Sequence, residues 1–465
     1  MGVETTNART TRHDMVDLTC LTLRAGAAGI REGRFTSEEL ANAYFARIQR
    51  YDRKIHAWAW IDHVRALARA GEADLARRKG STVGPLHGMP IAVKDVIHTA
   101  GIPTGMGSAI FDNFVPAHSG ACVDNLVVAG AYVQGKTITT EFATRHPGPT
   151  TNPWNTQFSP GGSSSGSAAA VAAGFTSAAL GTQTVGSIVR PAAYCGIVGY
   201  KPSLGLISRF GVHPVSQTLD QIGVLTRTVD DAALLVASIM GSDPRDGSTL
   251  IDFTPFSEFA ALAERPEPPS IAVVRSPSWT LADGDQRALL ETNCATLARH
   301  GARLQQIELP ARFADAVGVI RTIQAAEAAA NFRTMMQCDA DRTSVEFRAL
   351  FDRGMGIAAA DYLAALDTRL VMRAELDALF CEFDAIATPP ATGEPPRTIA
   401  STGSADFCAI WTLCGVPSVA IPTGLGPHGL PMGLQIVGKY LDDHSVLQTS
   451  LWCAKRLPFP FHPSL

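Results

Sequence analysis

Apolar and polar positions alternate with helical spacing near the start of the chain. Leu40 and Tyr44 begin an apolar stripe of the kind that marks one face of a helix. Thr36 and Glu39 precede this stripe in the arrangement of a capping box, which satisfies free N–H groups at a helix start. The pattern predicts that residues 15–80 form an N-terminal helical segment.

In the central part of the chain the apolar residues occur in shorter runs. Between residues 91 and 240, short apolar runs alternate with turns of small residues and with helical stretches. A strand-like run begins at Ile91, residues 122–130 have a helical pattern, and residues 131–134 have the pattern of another strand. Such alternation is typical of an α/β sheet covered by helices.

The C-terminal half continues in the same style. Residues 241–270 are rich in Pro, Asp, Ser and Glu and predict a surface crossover. Residues 311–380 are mostly helical in pattern, and strands are predicted at 384–388, 416–422 and 434–437. Because no repeat, low-complexity tract or linker interrupts the pattern, we expect residues 1–465 to form a single domain rather than several.

Composition narrows the class of protein. A net charge of −4 gives no reason to expect a nucleic-acid partner. The nine cysteines are scattered, and without a CxxC pair they indicate reduced thiols in a cytoplasmic protein. Residues 1–14 lack the apolar region of a secretory signal. The most lipid-like stretch, residues 168–180, is too short to span a bilayer, so no membrane association is expected.

Three short segments carry candidate chemistry. Lys94 interrupts an apolar run, residues 159–167 are almost all serine and glycine, and residues 181–187 form a second run of small residues. A serine hydroxyl needs a base to become a nucleophile, and a neutral lysine amine can be that base without any histidine. Taken alone, each segment also fits an ordinary role, namely a solvated lysine, a flexible linker and a plain turn.

Jointly the segments follow the order and spacing of one family. The chain resembles the amidase signature family of serine hydrolases, most densely over residues 84–235 and weakly over 241–400. The matching residues are Gly84–Asp95, Pro160–Ser164, Gly181–Gly196, Gly199–Ser203, Leu219–Asp220, Gly223, Arg227–Ala232 and Gly429–Gln435.

The resemblance implies a site and a fold. Lys94 corresponds to the family's catalytic lysine, Ser163 to the bridging serine at a cis peptide, and Ser187 to the nucleophile. The fold implied is α/β, a large mixed β-sheet sandwiched between α-helices, with residues 84–235 as the catalytic core and with no metal and no cofactor. The oxyanion hole implied is built from the main-chain N–H groups of Thr184, Val185, Gly186 and Ser187.

Three positions depart from the common family pattern. Ser165 stands where glycine is usual, Gln183 where aspartate is common, and Val185 where glycine is usual. A β-branched residue disfavours a positive φ, so Val185 puts the detailed geometry of the oxyanion loop in question. Gln183 removes a charge from the neighbourhood of the site.

The expected activity is hydrolysis of a C–N bond in a small or mid-sized, largely apolar amide through an acyl-enzyme. The same machinery could cleave a carbamate (urethane) or an ester. One rival is the glutaminase-type A subunit of a tRNA-dependent amidotransferase, and another is a catalytically silent binding protein. Specificity is expected to reside in residues 142–158 and 311–380. The resemblance is also compatible with a homodimer.

Overall fold

One mixed sheet of eleven strands runs through the protein, in a computed structural model whose described residues are 17–81, 83–249, 259 and 261–465. The strand order across the sheet is β1-β3-β2-β4-β6-β5-β10-β11-β9-β7-β8. The strands are β1 (Trp58–Ile61), β2 (Pro90–Lys94), β3 (Tyr132–Thr137), β4 (Ala178–Gln183), β5 (Val198–Lys201), β6 (Gln221–Thr226), β7 (Ser270–Val274), β8 (Arg303–Ile307), β9 (Ala385–Thr388), β10 (Ser418–Leu425) and β11 (Pro431–Val437).

Helices cover both faces of this sheet. Along β2, Ile91 and Val93 belong to one buried apolar cluster, whereas Ala92 between them belongs to another. Since successive strand residues point to opposite faces, both faces are buried. The α-helices of the described residues are α1 (Leu23–Glu32), α2 (Ser37–Ile55), α3 (His63–Arg78), α4 (Ala121–Val128), α5 (Ser165–Ala172), α6 (Val189–Cys195), α7 (Val229–Ile239), α8 (Gly284–Arg299), α9 (Ala316–Asn331), α10 (Arg333–Asp339), α11 (Val345–Met355), α12 (Ala359–Leu379), α13 (Asp406–Leu413) and α14 (Asp443–Arg456).

The α/β sandwich expected from the sequence is therefore confirmed, with local differences. Thr36 and Glu39 form the capping box of α2. The N-terminal segment is not wholly helical, because Trp58–Ile61 forms β1 and pairs antiparallel with β3 at the sheet edge. The predicted crossover at 241–270 lies partly outside the described residues, and the polar start at 1–14 lies wholly outside them.

The sheet brings the three candidate segments together. β2 and β4 are parallel neighbours, with Ala92 opposite Ala179 and Val93 opposite Leu180. The carboxyl ends of both strands therefore lie side by side, and Lys94 ends one of them. Parallel sheets commonly place their ligand crevices beyond these ends. No helix in the described ranges is both long and apolar enough to cross a membrane.

Candidate active site

Lys94 is completely buried and bonded to two side chains. Its Nζ atom lies 2.7 Å from Ser163 Oγ, 2.8 Å from Thr182 Oγ1 and 3.3 Å from the Thr182 carbonyl. Within the described part of the chain, no carboxylate forms an ion pair with it. Sequence reasoning missed Thr182, although the residue lies inside the predicted 181–187 segment.

The surroundings of Lys94 favour a neutral amine. Burial holds the pKa of Lys94 well below its ordinary value, because the ammonium form loses its hydration. The negative charge of Asp220 acts in the opposite direction, and the positive charge of Arg190 lowers the pKa further. A lysine in such a site is a candidate base at moderate pH.

Ser163 stands at the turn that leads into α5. The peptide bond between Gly162 and Ser163 is cis, and α5 begins at Ser165. The Ser164 hydroxyl donates to the Thr182 carbonyl at 3.2 Å, which attaches this turn to β4. Ser165 fits without strain at the first position of the helix, where its hydroxyl donates to the Ile138 carbonyl at 3.3 Å.

Ser187 lies in the loop that connects β4 to α6, at the wall of a cavity of about 390 Å³. Its side chain is 7% exposed. Both serines are described, and no hydrogen bond joins their hydroxyls in this structure. The main-chain N–H groups of residues 184–187 donate to no described residue, and these residues line the cavity.

Val185 does not distort the loop. The non-glycine residues with positive φ in the described chain are His56, Met106, Phe142, Ala143 and Leu441, so Val185 needs no left-handed backbone. Val185 instead lines the cavity.

Asp220 binds the loop of residues 184–187 through the Thr184 side chain. Its carboxylate accepts from the Thr184 hydroxyl at 2.6 Å and from the N–H groups of Val215 and Ser216 at 2.8 and 2.9 Å. Burial raises the pKa of Asp220 despite these bonds. The Leu219–Asp220 pair was part of the family resemblance, but the sequence did not reveal this contact with Thr184.

Besides the loop that holds Ser187, four parts of the chain line the cavity. Residues 143–147 and α9 with α11 contribute to it, which are parts of the two segments expected to govern specificity. Residues 400–406 form the remaining wall, and no sequence signal pointed to them. The charged residues in the lining are Arg145, Arg190, Arg321, Glu346 and Asp406.

These charges do not balance. Arg321 pairs with Asp406 at 3.0 Å, and Glu346 pairs with His146 at 3.1 Å. Arg190 is bonded instead to two carbonyl oxygens, those of Gly162 at 2.5 Å and of Gly403. Its Nε atom is buried and has no hydrogen-bond partner among the described residues.

Arg145 adds a second cation at the rim of the cavity. Its side chain is exposed, and it forms no ion pair or hydrogen bond with any described residue. Burial lowers the pKa of the Arg190 guanidinium, and the positive charge of Arg145 lowers it further. The cavity therefore carries an excess of positive charge. In the described ranges, no group of three or more His, Cys, Asp or Glu residues is arranged to hold a metal ion.

Comparison with known proteins places this geometry in a family. The profile of the family described as Amidase matches residues 39–447. The chain is 33% identical to the A subunit of glutamyl-tRNA(Gln) amidotransferase from Natranaerobius thermophilus, over 92% of this chain and 94% of that protein. It is 35% identical to the corresponding subunit from Chloroflexus aggregans, over 93% and 96% of the two chains.

Solved structures agree with the fold. Native peptide amidase from Stenotrophomonas maltophilia superposes with a TM-score of 0.85 and 30% identity, covering 95% of this chain and 98% of that one. A chain from an inhibitor-bound protein complex, described as revealing the origins of an s-triazine catabolic enzyme, has a TM-score of 0.87 and 27% identity, covering 94% and 100%. The chain therefore belongs to the amidase signature family of hydrolases that act on C–N bonds.

Proposed function

We propose that the protein hydrolyses an amide through an acyl-enzyme, with Ser187 as nucleophile, Ser163 as proton bridge and Lys94 as base. The observation that carries this proposal is the 2.7 Å contact between a fully buried lysine amine and the Ser163 hydroxyl. A neutral amine has two N–H donors and one lone pair. All three contacts of Lys94 are satisfied if both Thr182 oxygens accept and Ser163 donates.

The chemical steps follow from that arrangement. Lys94 accepts the Ser163 proton while Ser163 takes the proton of Ser187, and the Ser187 oxygen attacks the amide carbon. The free N–H groups of residues 184–187 stabilise the oxyanion, an effect worth about 10²–10³ in rate for one donor. The proton then passes to the leaving nitrogen as the C–N bond breaks. Water repeats the sequence and releases the acid.

The charge of the cavity indicates the class of substrate. Arg190 and Arg145 lack carboxylate partners in the described chain, whereas the other charged residues of the lining are paired. A buried guanidinium recognises a carboxylate through charge-assisted bonds. We therefore infer an amide whose acyl or amine part carries a carboxylate, rather than the largely apolar amide expected from the sequence.

A matched substrate pair tests this function. The first compound is a monoamide of a short dicarboxylic acid, and the second is the same amide with an isopropyl group in place of the carboxylate. We expect kcat/KM to favour the acid by about 100-fold, since an unpaired buried charge opposes the neutral analogue. Arg145→Gln and Arg190→Gln should each reduce this preference. Equal or better turnover of the neutral amide would contradict the substrate class.

Carbamates and esters belong to the same test. Both can form an acyl-enzyme on a serine, and an ester needs no protonation of a poor amine leaving group. A panel of amides, carbamates and esters that share one acyl part would rank the three. We propose the amide as the preferred bond, because the proton relay through Ser163 delivers a proton to the leaving nitrogen.

The glutaminase-type A subunit of a tRNA-dependent amidotransferase is the second candidate. Identities of 33% and 35% to two proteins of that name, over more than nine-tenths of both chains, support it. In that case the chain would work with a protein partner and would release ammonia from an amide for transfer. A cytoplasmic location and a homodimer remain predictions.

A partner requirement separates the two candidates. The purified chain alone should hydrolyse its amide at full rate if it is an independent amidase. Co-purification of further subunits, with hydrolysis that depends on them and on glutamyl-tRNA, would favour the amidotransferase. The silent binding protein is tested by a fluorophosphonate probe, since a protein without an activated serine would not be labelled at Ser187.

A further inference from the structure

The side chain of Gln183 is tied to the main chain directly after Ser187. Its Oε1 atom accepts from the N–H groups of Ile188 at 2.8 Å and Val189 at 3.0 Å. Gln183 is the last residue of β4 and is 1% exposed. One amide oxygen therefore fixes the chain where it turns from the nucleophile into α6.

Thr412 of α13 links Gln183 to the main chain on the N-terminal side of Ser187. The Gln183 Nε2 atom donates to Thr412 Oγ1 at 2.9 Å, and that hydroxyl donates to the Val185 carbonyl at 2.7 Å. Its alternative acceptor, the Cys408 carbonyl, is farther away at 3.1 Å. Gln183 and Thr412 together thus hold the main chain before Ser187, at Val185, and after it, at Ile188 and Val189.

This arrangement needs an amide at position 183. Glutamine offers one acceptor and one donor group, and both are used here. A carboxylate could still accept from Ile188 and Val189, but it could not donate to Thr412. The single proton of the Thr412 hydroxyl would then serve either the carboxylate or the Val185 carbonyl, and one end of the loop would lose its support.

A second layer of buried polar groups holds Thr412. Gln221 Nε2 donates to the Thr412 carbonyl at 3.4 Å, and Lys201 Nζ donates to Gln221 Oε1 at 2.8 Å. Each of these side chains is no more than 3% exposed. In such surroundings an unsatisfied polar group is costly, so the network favours one geometry of the loop.

We propose that Gln183 and Thr412 act as a pair of positioning residues that hold the 184–187 amides and the Ser187 hydroxyl in their reactive arrangement. The proposal rests on the proposed function of Ser187. It explains why a neutral side chain stands where the family commonly has aspartate. Gln183 accepts from two main-chain N–H groups and also donates to Thr412, whereas a carboxylate can only accept.

Rates of covalent labelling test this proposal without knowledge of the substrate. The variants are Gln183→Glu, Thr412→Val and the double variant, and the readout is the second-order rate constant for labelling of Ser187 by a fluorophosphonate. We expect each single variant to lower this rate constant by about 10–100-fold. The double variant should lose little more than either single variant, because both break the same tie. Thr412→Ser keeps the hydroxyl and should recover most of the loss seen in Thr412→Val.

A buried glutamine outside the cavity lining gives the matched control. Gln286 is also 1% exposed and donates to the Gly433 carbonyl at 3.1 Å. Gln286→Glu should lower thermal stability while leaving the labelling rate of Ser187 unchanged. Labelling at wild-type rate in Gln183→Glu or in Thr412→Val, or multiplicative losses in the double variant, would overturn the positioning role.

Failure of the proposed function would look different. In that case wild-type Ser187 would not be labelled at all, whatever stands at 183. If Gln183→Glu does not fold, Thr412→Val and Thr412→Ser still decide the matter, since they change one hydroxyl at the far end of the tie. Thermal melting of each variant identifies the folded samples.

Discussion

The Asp220 carboxylate accepts a 2.6 Å hydrogen bond from the Thr184 hydroxyl, so one buried acid contacts the candidate oxyanion loop and also acts on the candidate base. Its negative charge raises the pKa of Lys94 against the effect of burial. Loop geometry and proton affinity are therefore coupled through Asp220.

The first prediction concerns this coupling. Lys94 must be neutral to act as a base, so kcat/KM should rise with pH through the lowered pKa of Lys94. In Asp220→Asn the pKa of Lys94 should fall further, and the acid limb should move to lower pH. Asp443→Asn provides a control, because that buried acid bonds Tyr200 and Ser203 away from the cavity. An unmoved acid limb in Asp220→Asn would argue against the coupling.

The second prediction concerns the proposed catalytic residues Lys94, Ser163 and Ser187. Lys94→Ala and Ser187→Ala should each lower kcat by more than about 10³-fold, because loss of one member of a serine nucleophile machinery removes most of its rate. Far-UV circular dichroism and thermal melting check that the variants fold. Near wild-type turnover in either folded variant would show that the roles are assigned to the wrong residues.

The third prediction concerns Gly186, where a side chain would be tightly packed. A Cβ atom there would lie 3.0 Å from Ala405 Cβ and 3.1 Å from Cys408 Cβ at the start of α13. Gly186→Ala should therefore push the oxyanion loop out of place and lower kcat by about 10-fold or more, as overpacking costs about 1–3 kcal/mol. Gly284→Ala is the matched control, since no atom of the described residues lies within 4 Å of the position that its Cβ would take.

The sheet and the positions of the three candidate segments could be predicted because their signals are local. The apolar run before Lys94 predicts a buried strand, and the Ser-Gly run before an alanine-rich stretch predicts a turn into a helix. β1 could not be predicted, because four residues between two helices are too few to show an alternating pattern. Their strand conformation depends on pairing with β3.

The polar contacts of the site could not be predicted for a similar reason. Arg190 bonds the Gly403 carbonyl 213 residues away, and Gln183 bonds Thr412 229 residues away. Such contacts depend on how α13 and the 400–406 loop pack on the sheet. Local composition gives no information about that packing, so the excess positive charge of the cavity could be recognised only in the folded structure.

The fourth prediction concerns stability in acid. His213 stacks on the ring of Phe332 with centroids 4.9 Å apart, and burial lowers its pKa to about 4. An unfolded histidine has a pKa of about 6.5, so between these values the unfolded chain binds the extra proton. The contribution of neutral His213 to the free energy of unfolding should therefore be fully present above about pH 6.5. It should decline toward pH 4, by at most about 1.4 kcal/mol per pH unit.

Chemical denaturation at several pH values measures that decline. His213→Phe keeps an aromatic ring and removes the titrating group, so its unfolding free energy should depend less on pH between 4 and 6.5 than that of the wild type. His98, whose pKa is also lowered to about 4 by burial, should still contribute its own share. Identical pH dependence in His213→Phe and wild type would mean that His213 is not the group responsible.

Trapping the acyl-enzyme tests the assignment of Ser187 as the nucleophile. The protein is mixed with a slowly deacylating ester, quenched in acid, digested and analysed by mass spectrometry. We predict that the acyl group is attached to Ser187, and that the adduct accumulates more slowly as pH falls and Lys94 becomes charged. An acyl group on Ser163 or on any cysteine, or turnover without any covalent adduct, would contradict it.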